Sequence, residues 1–152
     1  MITASVERLT DVLPELQALF DTHYKDLALN QDQVPLDPMY DDYLQRDAQE
    51  RILLVSLRKD GQMIGYFVSF IAPSLHYKTC LTCTMDIVYV MPEHRGNGMS
   101  MIRMLKVAKQ ECKRRGVQRW FVGSKLHKDI GRIYEAFGFQ PVETYYSMML
   151  GD

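Results

Sequence analysis

The chain has 152 residues, 47% of them apolar and 24% charged, with a formal net charge of −1. That length and composition are typical of one soluble globular domain with a sizeable core, which we expect to span residues 1–152. No apolar run approaches the roughly 20 residues that a membrane span needs, and no basic segment followed by an apolar one opens the chain. We therefore expect a cytoplasmic protein without a membrane partner.

The odd number of cysteines, three, argues against a disulfide framework. Cys80 and Cys83 have the spacing of metal ligands, but they lie in a β-type run, where residues three apart face opposite sides. Only Cys112 could add a further thiolate, and the sequence has no second Cys-x-x-Cys and no His-x-x-x-His. The sequence therefore predicts no metal site.

Charge is unevenly distributed along the chain. Residues 26–50 hold seven acids and one base, whereas residues 103–132 hold ten bases and two acids. Solvated helix faces explain most such runs. A second interpretation is an anionic cofactor near the basic half and a cationic substrate near the acidic half.

The first third of the chain predicts a strand, two helices and a loop. Residues 2–6 are typical of a short strand. Thr10 or Asp11 is a candidate N-cap for the first helix, whose inner positions recur at helical spacing: Val12, Leu16, Leu19, Phe20, His23 and Leu27. Residues 30–38 form a predicted loop, and Pro38 suits the first turn of a second helix that runs to about Glu50.

The rest of the chain predicts a hairpin followed by alternating strands and helices. Two apolar runs, 52–57 and 63–72, flank a turn at Asp60-Gly61. The remaining predicted elements are strands at 78–90, 119–123 and 142–150 and helices at 98–115 and 128–137. The order β-α-α-β-β-β-α-β-α-β indicates a mixed sheet covered by helices, an α/β fold of the α+β type.

A glycine-punctuated segment follows the apolar run 87–92 and precedes the long helix. Its residues are Arg95, Gly96, Asn97, Gly98, Met99 and Ser100. Successive backbone N–H groups in such a loop, together with the positive end of the helix dipole, bind an anion, usually a phosphate. The third glycine of a dinucleotide-binding loop and the Gly-Lys-Ser/Thr of a P-loop are both missing.

These residues resemble the central signature of the GNAT acyltransferase superfamily, Arg/Gln-x-x-Gly-x-Gly/Ala after an apolar strand. Arg95 and Gly98 match its first and fourth positions, whereas Ser100 replaces the Gly or Ala of the sixth. Residues 132–139 are similar to the family's Leu-Tyr-Glu-Lys-x-Gly-Phe segment and lie about forty residues later, as in the family. The resemblance implies a mixed, mostly antiparallel sheet of six to seven strands flanked by four helices, and acetyl-CoA as co-substrate.

The resemblance also implies where acetyl-CoA binds. Residues 95–100 would hold its diphosphate, with the Ser100 hydroxyl as a further donor. The backbone of Val88, Tyr89 and Val90 would separate from the neighbouring strand so that the pantetheine arm fills the gap, and an N–H there would polarise the thioester carbonyl. His127 stands where family members often carry an asparagine that contacts the pantetheine arm.

Two side chains are candidate catalytic groups. The resemblance implies that Tyr134 donates a proton to the leaving thiolate, since a phenol with a pKa near 10 stays protonated at pH 7; the alternative is a tyrosine ring in the core. Asp86 lies in an otherwise apolar strand, where a charge is costly unless it is paired or faces a cleft. Polyamine acetyltransferases of the superfamily carry a carboxylate at the matching place, which implies Asp86 as general base, directly or through water. The alternative is a pair with a nearby Arg or Lys.

Nearly the whole chain is similar to short GNAT-like proteins of tailed phages and prophages. The likeness rests on His23-Tyr24, residues 35–38, residues 75–77 and residues 86–89. His23, Tyr24, His76 and Tyr77 are candidate acceptor-site residues, although lone histidines are more often structural. A phage origin would place the protein in the host cytoplasm.

The leading hypothesis is direct transfer of an acetyl group from acetyl-CoA to a primary amine on a small molecule or a protein. A second is a CoA-binding or protein-interaction module without catalysis, suggested by Ser100 and His127. A third is a phage-type enzyme that modifies nucleic acid or a host protein, suggested by the basic stretch from Lys106 to Arg119, which a helix face near the CoA phosphates explains better. A homodimer is possible, since the C-terminal strand often pairs copies in relatives; the sequence does not specify the acceptor.

Overall fold

The computed structural model describes residues 1–151. It is a mixed α+β structure in which four helices flank one sheet of five strands. The strands are β1 (Ile2–Val6), β2 (Ile52–Lys59), β3 (Gln62–Pro73), β4 (Leu81–Val90) and β5 (Arg119–Phe121). The helices are α1 (Leu9–Leu27), α2 (Tyr40–Ala48), α3 (Met99–Arg114) and α4 (Gly131–Phe137), with a short 3-10 turn at Pro92–His94 before α3.

The strands lie in the sheet in chain order, from β1 to β5. Neighbours are antiparallel from β1 to β4, and β5 is parallel to β4 because α3 crosses over between them. The β2–β3 hairpin turns at Asp60 and Gly61, both with positive φ, which is the conformation that an Asp-Gly turn adopts.

Each face of the sheet packs against its own helices. Leu53, Val55 and Leu57 of β2 lie in the core that includes α3, whereas Ile52 and Leu54 lie in the core that includes α1. A sheet buried on both faces gives continuous apolar runs rather than an alternating pattern, as in β2 and β3. Side chains on opposite faces of a central strand therefore enter different environments.

The strand count is lower than the expected six to seven. Residues 142–150, predicted as a final strand, form no strand, and the sheet ends at the three residues of β5. Val142, Tyr145 and Tyr146 are 75%, 86% and 92% exposed. The β-propensity of such residues becomes a strand only where they pair with an edge and bury one face, and these side chains stay in solvent.

β5 and α4 are shorter than predicted, for a local reason. The chain leaves the sheet after Phe121 rather than after residue 123, and the helix begins at Gly131 rather than at residue 128. Between them, Ser124 Oγ donates to Asp129 Oδ1 at 2.8 Å, and the Gly131 amide donates to the same carboxylate at 2.8 Å. These bonds hold residues 124–131 as a turn that leads into α4.

The acid-rich segment 26–50 is not a uniform solvated face. Asp47 of α2 is 3% exposed and accepts hydrogen bonds from Arg8 Nε at 3.3 Å and Thr10 Oγ1 at 3.0 Å. Thr10 thus joins α1 to α2 and does not cap α1, whose N-cap is Arg8. The other six acids of the segment are exposed: Asp26, Asp32, Asp37, Asp41, Asp42 and Glu50.

Candidate active site

The strands β4 and β5 pair over only three residues and then separate. The parallel ladder joins residues 82–84 to residues 119–121. Beyond Thr84, no strand within residues 1–151 pairs with this edge of β4. Residues 85–90 therefore border an opening in the sheet, and the glycine loop follows at the end of β4.

Hydrogen bonds at the end of β4 identify the backbone groups that face this opening. The Met91 amide donates to Ile64 O of β3 at 2.9 Å, so the polar groups of the preceding residue, Val90, point to the other edge. Consistent with this orientation, Arg95 Nε donates to Val90 O at 2.7 Å. Val88, two residues earlier, has the same orientation because strand geometry repeats every second residue.

Two glycines shape the segment after β4. Gly96 and Gly98 have φ of +50° and +88°, and a Cβ on Gly98 would approach Ile133 of α4 to 3.1 Å. α3 begins at Met99, whose amide donates to Asn97 Oδ1 at 3.3 Å. Within residues 1–151, the amides of Gly96 and Asn97 donate to no acceptor, so they are free to face an anion at the N-terminus of a 16-residue helix.

Two side chains of the loop already bond within the protein. Arg95 Nη2 lies 2.6 Å from Asp26 Oδ2, and the guanidinium lies 5.4 Å from the centre of the Tyr89 ring. The Arg95 guanidinium accordingly holds the pKa of Asp26 below its ordinary value. Ser100 is 6% exposed, and its Oγ donates to His94 O at 2.8 Å. These side chains fix the loop from within, which leaves its backbone amides to meet a ligand.

Tyr134 of α4 reaches the opening from the α3 side of the sheet. Its ring is 5% exposed and packs on Phe139, with ring centroids 5.6 Å apart. Its hydroxyl donates to Gly123 O at 2.8 Å and lies 3.5 Å from Met85 Sδ. Gly123 follows β5 and Met85 belongs to β4, so the phenol bridges the strands where they separate. Burial raises the pKa of Tyr134, which keeps the phenol protonated at neutral pH.

Asp86 enters from the opposite face. Its two neighbours in β4 pair with consecutive residues of β3, so Asp86 is the extra residue of a β-bulge. A bulge redirects its side chain, and Asp86 accepts a hydrogen bond from the Tyr43 hydroxyl of α2. Burial raises the pKa of Asp86, and Tyr43 and Arg46 oppose that shift. Within residues 1–151, no Arg or Lys forms an ion pair with this carboxyl group.

His23 lies in an aromatic cluster between α1 and the sheet. Its ring stacks on Tyr89 with centroids 4.6 Å apart, and its Nδ1 is hydrogen-bonded to the Tyr66 hydroxyl. Burial lowers the pKa of His23 to about 4, and the positive charge of Lys125 adds to the effect. The imidazole is therefore neutral at pH 7.

The other predicted acceptor and cofactor residues lie on connecting segments or near them. Tyr24 donates to Gln31 O at 3.0 Å and so anchors the α1–α2 loop. His127 Nε2 donates to the last carbonyl of α1 at 2.8 Å, which joins the β5–α4 loop to that helix. His76 and Tyr77 pack edge to face in the exposed β3–β4 connection.

Two residues that the sequence did not predict, Tyr43 and Asp26, contact the predicted residues Asp86 and Arg95. Tyr43 follows Tyr40 by three positions on α2, and both rings lie about 6.5 Å from Phe20 of α1. This aromatic stripe in an otherwise acidic helix is the signal that could have found Tyr43. Asp26 gives no such signal, since Arg95 is 69 residues away in the sequence.

The site has no metal-binding group. Within residues 1–151, no three His, Cys, Asp or Glu side chains come together as metal ligands. Cys83 and Cys112 are buried and Cys80 is half-buried, all as free thiols. No helix in the same residues is long and apolar enough to cross a lipid bilayer.

Solved structures of acetyltransferases share this fold. A ribosomal-protein-alanine N-acetyltransferase from Brucella melitensis biovar Abortus 2308 superposes with a TM-score of 0.74 at 18% identity, covering 100% of this chain and 99% of that one. An aminoglycoside acetyltransferase from an uncultured soil metagenomic sample gives 0.74 at 13% identity, with 99% of both chains covered. A predicted acetyltransferase from Clostridium acetobutylicum, crystallised with acetyl-CoA, gives 0.69 at 16% identity, covering 99% of this chain and 97% of that one.

The sequence itself shows the family. No curated protein matches the chain, and the comparisons do not support the predicted likeness to phage and prophage proteins. The sequence model of the acetyltransferase (GNAT) family matches residues 15–139. This range contains both signatures, the glycine loop and the segment around Tyr134. The chain therefore belongs to the acetyltransferase (GNAT) family, whose members use acetyl-CoA, and is an N-acetyltransferase.

Proposed function

We propose that the protein transfers the acetyl group of acetyl-CoA directly to a primary amine, with Asp86 as general base and Tyr134 as general acid. One observation carries the proposal: the two groups reach β4 from opposite faces, beside the opening between β4 and β5. An amine on the Asp86 face and a thioester on the Tyr134 face would meet in this opening. Such alignment of two reactants supplies a large part of the rate acceleration.

Backbone groups would hold acetyl-CoA. The amides of Gly96 and Asn97 at the N-terminus of α3 suit a diphosphate. The pantetheine arm would then follow residues 88–90, and the outward N–H of Val88 or Val90 would stabilise negative charge on the thioester oxygen. His127 would fix the β5–α4 loop on the far side of the opening between β4 and β5, because its bond to α1 holds that loop in place.

The proposed chemistry begins with an ammonium group. Asp86, directly or through water, takes one proton, and the freed lone pair attacks the thioester carbonyl to form the C–N bond. Collapse of the adduct breaks the C–S bond, and the Tyr134 hydroxyl gives its proton to the sulfur. The nitrogen then loses its second proton, which restores the phenol through water, and Asp86 releases the first proton to solvent.

The environments of both groups support these roles. The raised pKa of Asp86 brings a carboxylate closer to the pH at which a base is most effective. The Tyr134 hydroxyl already has a sulfur atom, Met85 Sδ, 3.5 Å away, so a thioester sulfur could approach it similarly. The names of two structural relatives, a ribosomal-protein-alanine N-acetyltransferase and an aminoglycoside acetyltransferase, support an amine on a protein or a small molecule as acceptor.

Replacing Tyr134 by Phe tests the proposal. We expect calorimetry to give a CoA affinity within about twofold of wild type, while kcat for thiol release falls at least about tenfold, as for a lost general acid. Tyr146→Phe is the matched control, since it removes a hydroxyl from a side chain that is 92% exposed. Unchanged kcat in Tyr134→Phe would remove the phenol from the mechanism. CoA binding without turnover on amines, peptides or nucleobases would instead favour a module without catalysis.

A further inference from the structure

A cleft of about 310 Å³ adjoins the Asp86 site. Its lining includes Phe70, Thr82, Thr84, Arg119, Phe121 and Tyr145. The Phe70 ring connects the cleft to the site, because its centroid lies 6.0 Å from that of Tyr43, the hydrogen-bond partner of Asp86. An acceptor whose amine reaches Asp86 therefore has room to extend along this part of the sheet.

Arg119 is the one basic residue among those that line this cleft. Its guanidinium carbon lies 5.2 Å from the centre of the Tyr77 ring and 4.9 Å from that of Phe121. Its Nε is buried and has no hydrogen-bond partner in the described part of the chain. Nor does the guanidinium pair with any carboxylate of residues 1–151.

An arginine that is partly buried and has neither a hydrogen-bond partner for Nε nor an ion pair is well placed to bind an oxyanion. Withdrawing a charged donor from water without a partner is costly, and the two aromatic rings satisfy the face of the guanidinium but not its N–H groups. Those N–H groups form a planar fork that matches a carboxylate or a phosphate. Glu143 also lines the cleft, but it is exposed, so water screens its repulsion of an anion.

We propose that Arg119 binds an oxyanion, carboxylate or phosphate, carried by the amine acceptor. The inference rests on the proposed acetyl transfer and names the acceptor class: an amine with an anionic group some distance away. Arg119 of β5 lies opposite Thr82 of β4 in the parallel ladder. Thr82 precedes Asp86 by four residues, so at roughly 3.3 Å per residue Arg119 and Asp86 are separated by about 13 Å along the strand. A tripeptide, roughly 10 Å from amine to carboxylate, approaches this spacing.

A matched pair of acceptors tests the inference. We expect wild type to acetylate trialanine with a kcat/KM at least about tenfold above that of trialanine amide, through KM, because only the former offers a carboxylate to the fork. Arg119→Gln should abolish the preference, Arg119→Lys should keep part of it, and Glu143→Gln should change it by less than about twofold, because water screens that carboxylate. Lys59→Gln, at an exposed position of the β2–β3 hairpin, removes the same charge elsewhere and should leave the preference intact.

Binding to the wild-type protein gives a readout that needs neither turnover nor a variant that folds. We expect the NMR signal of the Arg119 Nε–H group to shift on titration with trialanine and with either acetate or inorganic phosphate, and the responding ion identifies the oxyanion. If neither these peptides nor the amines and nucleobases of the wider acceptor panel are acetylated but this signal shifts, the proposed reaction fails and the anion site stands. If both peptides are acetylated equally and the signal does not move, the anion site is wrong and the proposed reaction stands.

Discussion

On one face of β4, Tyr134 lies among apolar groups and donates to a backbone carbonyl. On the other face, Asp86 is hydrogen-bonded to Tyr43, close to an aromatic cluster that holds His23. Burial raises the pKa of both Tyr134 and Asp86. The same physical cause thus favours a phenol that keeps its proton and a carboxylate that accepts one more readily.

In the proposed mechanism, the sheet separates the proton donor, Tyr134, from the proton acceptor, Asp86. If the two groups lay on one face, they could hydrogen-bond to each other rather than to the reactants. Here the sheet lies between them, and the separation of β4 and β5 opens a path through it. We therefore expect residues on the Asp86 face, and not those on the Tyr134 face, to control how the reaction rate and the stability of the protein depend on pH.

The largest expected effect comes from removing the carboxylate of the Asp86 face. We expect Asp86→Asn to lower kcat at least about 100-fold at pH 7, because general bases contribute on that order. Steady-state thiol release measures this change, and calorimetry with CoA should show unchanged affinity.

Asp42→Asn is the matched control for Asp86→Asn. It removes an exposed carboxylate from α2, the helix that carries Tyr43, and should leave kcat unchanged. A wild-type kcat in Asp86→Asn would assign proton removal to another group. It would also contradict the proposal that one face of β4 carries the proton acceptor and the other the proton donor.

A smaller effect is expected from Tyr43→Phe. The base acts when deprotonated, so the rate falls as pH falls through the pKa of Asp86. Because the Tyr43 hydrogen bond lowers that pKa, its loss should move the acid limb of the kcat/KM profile to higher pH and reduce kcat/KM on that limb by roughly tenfold. Tyr40→Phe changes a neighbouring ring of the same helix without a bond to Asp86 and should leave the limb in place. An acid limb that moves to lower pH in Tyr43→Phe would contradict the assignment of that limb to Asp86.

The smallest effect concerns stability. The folded-state pKa of His23 is about 4, below the unfolded value of about 6.5. Its neutral form therefore stabilises the fold above pH 6.5, and that contribution is lost as pH falls from 6.5 towards 4. After discounting for partial exposure, we expect a loss of about 1–2 kcal/mol, which His23→Gln should remove from urea unfolding curves. His76→Gln, in the exposed β3–β4 connection, should keep the wild-type dependence of unfolding free energy on pH. The same dependence in both variants would exclude His23 as the cause of the loss.

Local patterns in the sequence predict much of the fold. The Asp60-Gly61 turn, the helix after the glycine loop and the first strand lie where their residue types indicate, because turn and helix signals act over a few residues. The glycine loop is predicted for the same reason, since positive φ at Gly96 and Gly98 is a local property.

Features that depend on distant contacts are not predictable in this way. The Tyr43–Asp86 and Arg95–Asp26 bonds join residues 43 and 69 positions apart, and no local pattern indicates them. Residues 142–150 have the composition of a strand, yet no edge pairs with them in the described chain. Asp47 belongs to an acidic run but is buried by Arg8 and Thr10, which only the packing of α1 on α2 determines.

The most direct test is the position of bound acetyl-CoA in a crystal structure. We expect the diphosphate to accept hydrogen bonds from the amides of Gly96 and Asn97. The thioester should lie between residues 88–90 and Gly123, with its sulfur within about 4 Å of the Tyr134 hydroxyl. A thioester that lies outside the opening between β4 and β5, or a sulfur remote from Tyr134, would contradict the proposed mechanism.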